Sequence, residues 1–191
     1  LMGLTSRFGT EFDSLADTIS FCAVPSILVY SVYVDGLPII LGAAISFMPL
    51  LFGTIRLAKF NIDTSEKPKP YFIGLTTPLA AITIIGFMLF NYQLYGDMGD
   101  ARLALVIVAI MSFLEISPVR FSKFPILSLK RGRNNNLRLV GLAITLLGLL
   151  LFRGLVLFPL MSIYITWSII KWMLDKDRLS IESKIKTTLE N

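Results

Sequence analysis

Asp13 and Asp17 lie in the stretch Gly9-Thr10-Glu11-Phe12-Asp13-Ser14-Leu15-Ala16-Asp17, at the mouth of a long apolar run. On a helix Gly9, Asp13 and Asp17 are successive i, i+4 positions. One face therefore carries a bare patch of backbone and then two acids a turn apart, while Glu11 points elsewhere. Thr18 to Val34 contains no charged residue, so the pair stands where water gives way to lipid. Ionised groups at that boundary are costly and are usually kept for function. Two like charges a turn apart repel unless a cation lies between them, and oxygen ligands suit a hard divalent ion such as magnesium or manganese. In a soluble protein, acids in such a place would more simply complement a helix dipole. The adjoining lipid-length run favours the metal.

Composition says where such a site must be held. The 191 residues are 54% hydrophobic and only 16% charged, against roughly 25% charged in a soluble domain. Several uncharged stretches approach the ~20 residues that a helix needs to cross a bilayer. The reading is an all-α integral membrane protein, a polytopic helical bundle with about six transmembrane helices. The single cysteine, Cys22, has no partner for an internal disulfide. There is no histidine, so any proton transfer falls to carboxylate, lysine, tyrosine or metal-bound water.

The predicted spans run from Phe12 to Val34, with Pro25 as a kink, and from Pro38 to Ala58. A loop from Ile62 to Tyr71 contains Lys67-Pro68-Lys69-Pro70, which no helix interior tolerates. The third span covers Phe72 to Leu94, and the turn Gly96-Asp97-Met98-Gly99-Asp100 leads into the fourth, Ala101 to Ile116. A basic loop from Ser117 to Arg138 precedes two short spans, Leu139 to Phe152 and Leu155 to Met173, joined at Arg153-Gly154. Residues 1–174 thus form a transmembrane catalytic domain, and 175–191 a polar cytoplasmic tail lying on the surface as a short amphipathic helix. With the acid pair on the cytoplasmic side, sixteen of the eighteen basic residues fall there, and only Arg102 and Arg153 fall opposite. That asymmetry satisfies the positive-inside rule and makes this a multi-pass protein of the cell membrane.

Two further features converge on the cytoplasmic face. Arg56 and Lys59 end an apolar helix three residues apart, and the loop Ser117 to Pro125 alternates basic residues such as Arg120 with aromatics. A metal flanked by fixed cations is what a transferring phosphoryl group requires, and the fork of arginine binds two phosphate oxygens at once. The plainer readings are snorkelling at a helix end for Arg56 and Lys59, and topology or an anionic-lipid contact for Arg120.

The spacing Gly9-x3-Asp13-x3-Asp17 resembles the second half of the signature of the CDP-alcohol phosphotransferases, Asp-x2-Asp-Gly-x2-Ala-Arg-x8-Gly-x3-Asp-x3-Asp. Eight residues precede Gly9, the length of the x8 spacer, so the resemblance puts the first half of the signature upstream of Leu1. The longer run from Glu11 to Phe21, with Ala23-Val24-Pro25 after it, resembles the phosphatidylserine synthase branch of that family. So do Arg56-Leu57-Ala58-Lys59-Phe60-Asn61, Phe72-Ile73-Gly74-Leu75 and Arg120-Phe121-Ser122-Lys123-Phe124-Pro125. Thr76 departs from the branch, which has proline there, and Pro118 and Ser122 alter the loop.

The resemblance implies transfer of the phosphatidyl group of CDP-diacylglycerol to the hydroxyl of L-serine in the membrane, with release of CMP. It implies that Asp13 and Asp17 share divalent metal (Mg or Mn) with two upstream aspartates, that Asp17 is the base, and that the protein is a homodimer. Gly9 would let the backbone approach the nucleotide, and Arg56, Lys59 and Arg120 would contact diphosphate or the serine carboxylate. Without the upstream half, the 191 residues alone are expected to be inactive. Acceptors such as glycerol phosphate or inositol phosphate remain open within the family. A transporter or channel would place charges near the bilayer midplane, where this chain has almost none.

Overall fold

Apolar runs interrupted by proline and glycine produce helices here that bend before they stop. The structure is a computed structural model describing residues 7–35, 38–62, 71–122 and 154–190. The first rod is α1 (Arg7–Asp17), a π-helical turn (Thr18–Ala23) and α2 (Val24–Tyr33). Pro25 has no N–H for the carbonyl a turn earlier, and the ladder widens just ahead of it instead of breaking. The second rod is α3 (Ile39–Ser46) and α4 (Met48–Ile62), broken at Phe47 two residues before Pro49. There the Leu50 N–H donates across to Ser26 Oγ at 3.1 Å, which satisfies a backbone group that lipid could not.

The third predicted span starts later than the sequence suggests. Tyr71–Ile73 is a short strand, β1, and the helix α5 begins only at Thr77 and runs to Tyr95. β1 pairs antiparallel with β2 (Arg120–Ser122), Phe72 opposite Phe121, so two segments predicted as span and loop meet as strands. Gly74 makes the junction. Its φ is +74°, its N–H donates to Val119 at 2.8 Å, and a Cβ would sit 2.2 Å from the Glu115 carbonyl oxygen. Gly74→Ala is therefore expected to lose about 1–2 kcal/mol to left-handed backbone alone, and more to the clash. Gly96→Ala, also at positive φ but with nothing within 4 Å of its Cβ, isolates the first contribution. Equal shifts of the thermal midpoint for the two variants in detergent would show that the Glu115 contact does not matter.

Gly96 ends α5, and Asp100 caps α6 (Ala101–Ile116) by accepting from the N–H groups of Arg102 and Leu103 at 2.9 and 3.0 Å. The last helix, α7, runs without a break from Leu157 to Glu190, so residues 175–190 continue the same helix beyond the apolar stretch. Phe158 meets Phe87 edge-on at 5.2 Å, seating α7 on α5. Val29, Leu79, Ile84, Val108 and Phe121 fill the centre, whereas Ile39, Ile40, Leu103 and Ile163 face outward, as a lipid-facing surface requires.

Among the described residues four helical stretches are long and apolar enough to cross a membrane: Glu11–Tyr33, Ile39–Ile62, Thr77–Tyr95 and Leu157–Asp175. The fourth predicted span is helical but has only 16 residues. The fifth, Leu139 to Phe152, lies outside the described residues, as does most of the Ile62 to Tyr71 loop. Tyr33 donates its hydroxyl to the Met98 carbonyl, joining the Asp35 and Asp97–Asp100 turns at one end of the bundle. The opposite end gathers Asp13, Asp17, Asn61, Gly74 and Glu115.

Candidate active site

Asp13 and Asp17 lie on α1 one turn apart, Asp13 exposed and Asp17 partly buried at the entry to the π turn. Gly9 is exposed one turn before Asp13. The carboxylate of Asp17 has two charged neighbours, Asp13 and Arg56. A hard divalent cation accepts such a pair of oxygen donors. Among the described residues no third Asp, Glu, Cys or His completes a cluster with them.

The helix bearing Arg56 comes this close because of Gly53. A Cβ on Gly53 would lie 2.5 Å from Cys22 Sγ and 3.3 Å from Thr77 Cγ2. A bare backbone lets α4 sink against the π turn and the start of α5, as small residues do in membrane bundles. Arg56, a turn further along α4, is carried inward with it. It is only 9% exposed, which rules out snorkelling, since a snorkelling head would remain in water. Lys59, three residues on, is exposed. The pair that the sequence places on one face thus divides into a buried cation and a surface one.

A second link fixes α1 to the end of α4. Asn61 donates through Nδ2 to Ser14 Oγ at 2.9 Å, so the run around the acids is tied to the run that carries Arg56. Thr18 Oγ1 donates back to the Ser14 carbonyl at 2.8 Å across the π turn. Arg120 sits on β2 with its guanidinium 4.8 Å from the centre of the Tyr71 ring, a cation–π contact that holds it on the strand pair. Thr76 holds φ −74°, a value proline itself would impose, so the departure from proline leaves the backbone as it was.

Sequence reasoning passed over Glu115. It is 2% exposed in the last turn of α6, and its charged neighbour is Arg56. The signal was present: one acid closes an otherwise uncharged run from Leu103 to Leu114, and lone acids in apolar spans are kept for function. Asp17 and Glu115, acids on two different helices, are thus both electrostatic neighbours of Arg56. Arg56 Nε, Glu115 Oε2 and Thr77 Oγ1 are all buried without a protein hydrogen-bond partner. Polar groups in such places normally have one.

An acid pair for a hard cation, backed by a buried arginine at the lipid boundary, is an arrangement for handling a phosphate-bearing lipid. Residues 1–117 match the family described as CDP-alcohol phosphatidyltransferase, and the chain belongs to that family. A CDP-diacylglycerol–serine O-phosphatidyltransferase of Helicobacter pylori is 34% identical over 175 residues, covering 91% of this chain and 71% of its own. The enzyme of that name from Bacillus subtilis is 32% identical over 64% of this chain and 63% of its own. An archaetidylserine synthase of Methanothermobacter thermautotrophicus is 37% identical over 54% of this chain and 42% of its own.

Proposed function

We propose that this protein moves the phosphatidyl group of CDP-diacylglycerol onto L-serine, yielding phosphatidylserine and CMP in phospholipid biosynthesis. The serine oxygen forms a bond to the diacylglycerol-linked phosphorus, the bond from that phosphorus to the CMP oxygen breaks, and CMP leaves. The observation that carries the reading is the acid pair Asp13 and Asp17 set against the buried cation Arg56. Asp17 accepts the hydroxyl proton, carboxylate being one of the groups left for that role where these 191 residues hold no histidine. Asp13 and Asp17 would hold the divalent ion, which when bound polarises phosphate oxygens and neutralises their charge. Arg56 steadies the diphosphate, Lys59 and Arg120 meet diphosphate or the serine carboxylate at the surface, and Gly9 leaves the nucleotide room. The acyl chains stay in hydrocarbon while the headgroup meets soluble serine on the cytoplasmic side of the cell membrane, where the basic residues crowd.

Serine is favoured over glycerol phosphate or inositol phosphate by charge. Among the described residues the cationic neighbour of Asp17 is Arg56, which also neighbours Glu115, so a phosphate on the acceptor would find little further positive charge beside Asp17. Full-length protein in membranes, given labelled CDP-diacylglycerol and manganese or magnesium, is expected to release CMP with serine and not with either phosphate-bearing alcohol. Faster turnover with one of those alcohols would replace the proposed acceptor. The resemblance also implies a homodimer, for which detergent-corrected light scattering should return twice the protomer mass.

A further inference from the structure

The acid pair rides on α1, yet among the described residues of that helix no side chain is buried. Phe8, Phe12 and Leu15 face outward, and only Ser14 and Asp17 are partly covered. Those two stand three residues apart and so share one helix face. That face is turned toward the end of α4, where Asn61 donates through Nδ2 to Ser14 Oγ at 2.9 Å. A helix is usually set in rotation by an apolar stripe sunk into a core. Here a polar contact takes that place.

Ser14 is fixed a second time through its backbone. Its carbonyl accepts from Thr18 Oγ1 at 2.8 Å, which pins the same residue to the π turn. Asp13 precedes Ser14 directly and Asp17 follows one turn later, so whatever holds Ser14 also sets the direction of both carboxylates. We propose that Asn61 is a positioning residue, which through Ser14 fixes the rotation of α1 and keeps Asp17 turned inward, where with Asp13 it can receive a divalent cation. The inference rests on reading Asp13 and Asp17 as metal-holding residues.

The test is manganese binding itself, followed by the free-ion electron paramagnetic resonance signal as purified full-length protein is titrated in detergent without lipid substrate. Asn61→Ala is expected to weaken binding about fivefold, the worth of one part-buried hydrogen bond. Ser14→Ala, in which alanine favours the helix, should weaken it equally. The double variant should lose no more than either single one, because both residues act through one bond. Ser14→Thr, which retains the hydroxyl, should bind within about twofold of wild type. Losses that multiply in the double variant, or a loss in Asn61→Ala that Ser14→Ala does not share, would mean that Asn61 acts on the ion directly, and would overturn the proposal. So would variants that lose thermal stability and keep wild-type affinity, the mark of a purely structural contact. Wild-type protein that takes up no manganese would overturn the metal-site reading and this inference with it, whereas unshifted variants beside a binding wild type overturn the inference alone.

Discussion

Asp17→Asn in the full-length protein is expected to cut serine-dependent CMP release by roughly 10²–10⁴-fold, the usual worth of a positioned general base. The substitution preserves shape, and Asp17 is only partly buried at the end of α1, so the fold should survive. On the proposed reading, what is lost is the negative charge that would accept the serine proton and share the cation with Asp13. Asparagine keeps one oxygen acceptor and no basicity. Asp13→Asn, at the exposed position a turn earlier, should act mainly on the metal concentration needed for half-maximal rate. The comparison separates holding the ion from taking the proton. If Asp17→Asn turned over within threefold of wild type with unchanged metal dependence, the assignment of this acid pair would be wrong.

Arg56→Leu is expected to destabilise the protein by about 1–3 kcal/mol, because the buried Glu115 carboxyl loses its charged neighbour. Glu115 is only 2% exposed. Arg56→Leu combined with Glu115→Leu should restore most of the thermal midpoint, since apolar side chains leave no buried polar group at either position to satisfy. On the proposed reading, activity should not return in the double variant, because Arg56 would no longer steady the substrate phosphates. Unfolding in detergent and CMP release, measured side by side, test both halves. An Arg56→Leu protein that melts like wild type would show that Arg56 does not neutralise Glu115.

Much of this organisation was legible in the residues. Hydrocarbon-length apolar runs dictate helices because lipid offers backbone groups no other partner, and proline and glycine mark where those helices bend or end. The i, i+4 spacing of Asp13 and Asp17 follows from helix geometry alone. These are local or one-dimensional properties.

Packing decided the rest. Arg56 and Lys59 share a helix end, yet only the backbone patch at Gly53 determines that one is buried and the other exposed. The strand pair needs Tyr71–Ile73 and Arg120–Ser122 side by side, although nearly fifty residues of chain separate them. Ser14 and Asn61, both inside recognised motifs, became partners only when α1 lay beside the end of α4. Glu115, passed over in the sequence, became an electrostatic neighbour of Arg56 only when α6 packed beside α4. Spacing along a chain specifies which groups one helix shows together, whereas the pairing of buried charges depends on which helices touch, and that is settled by contacts between residues far apart in sequence.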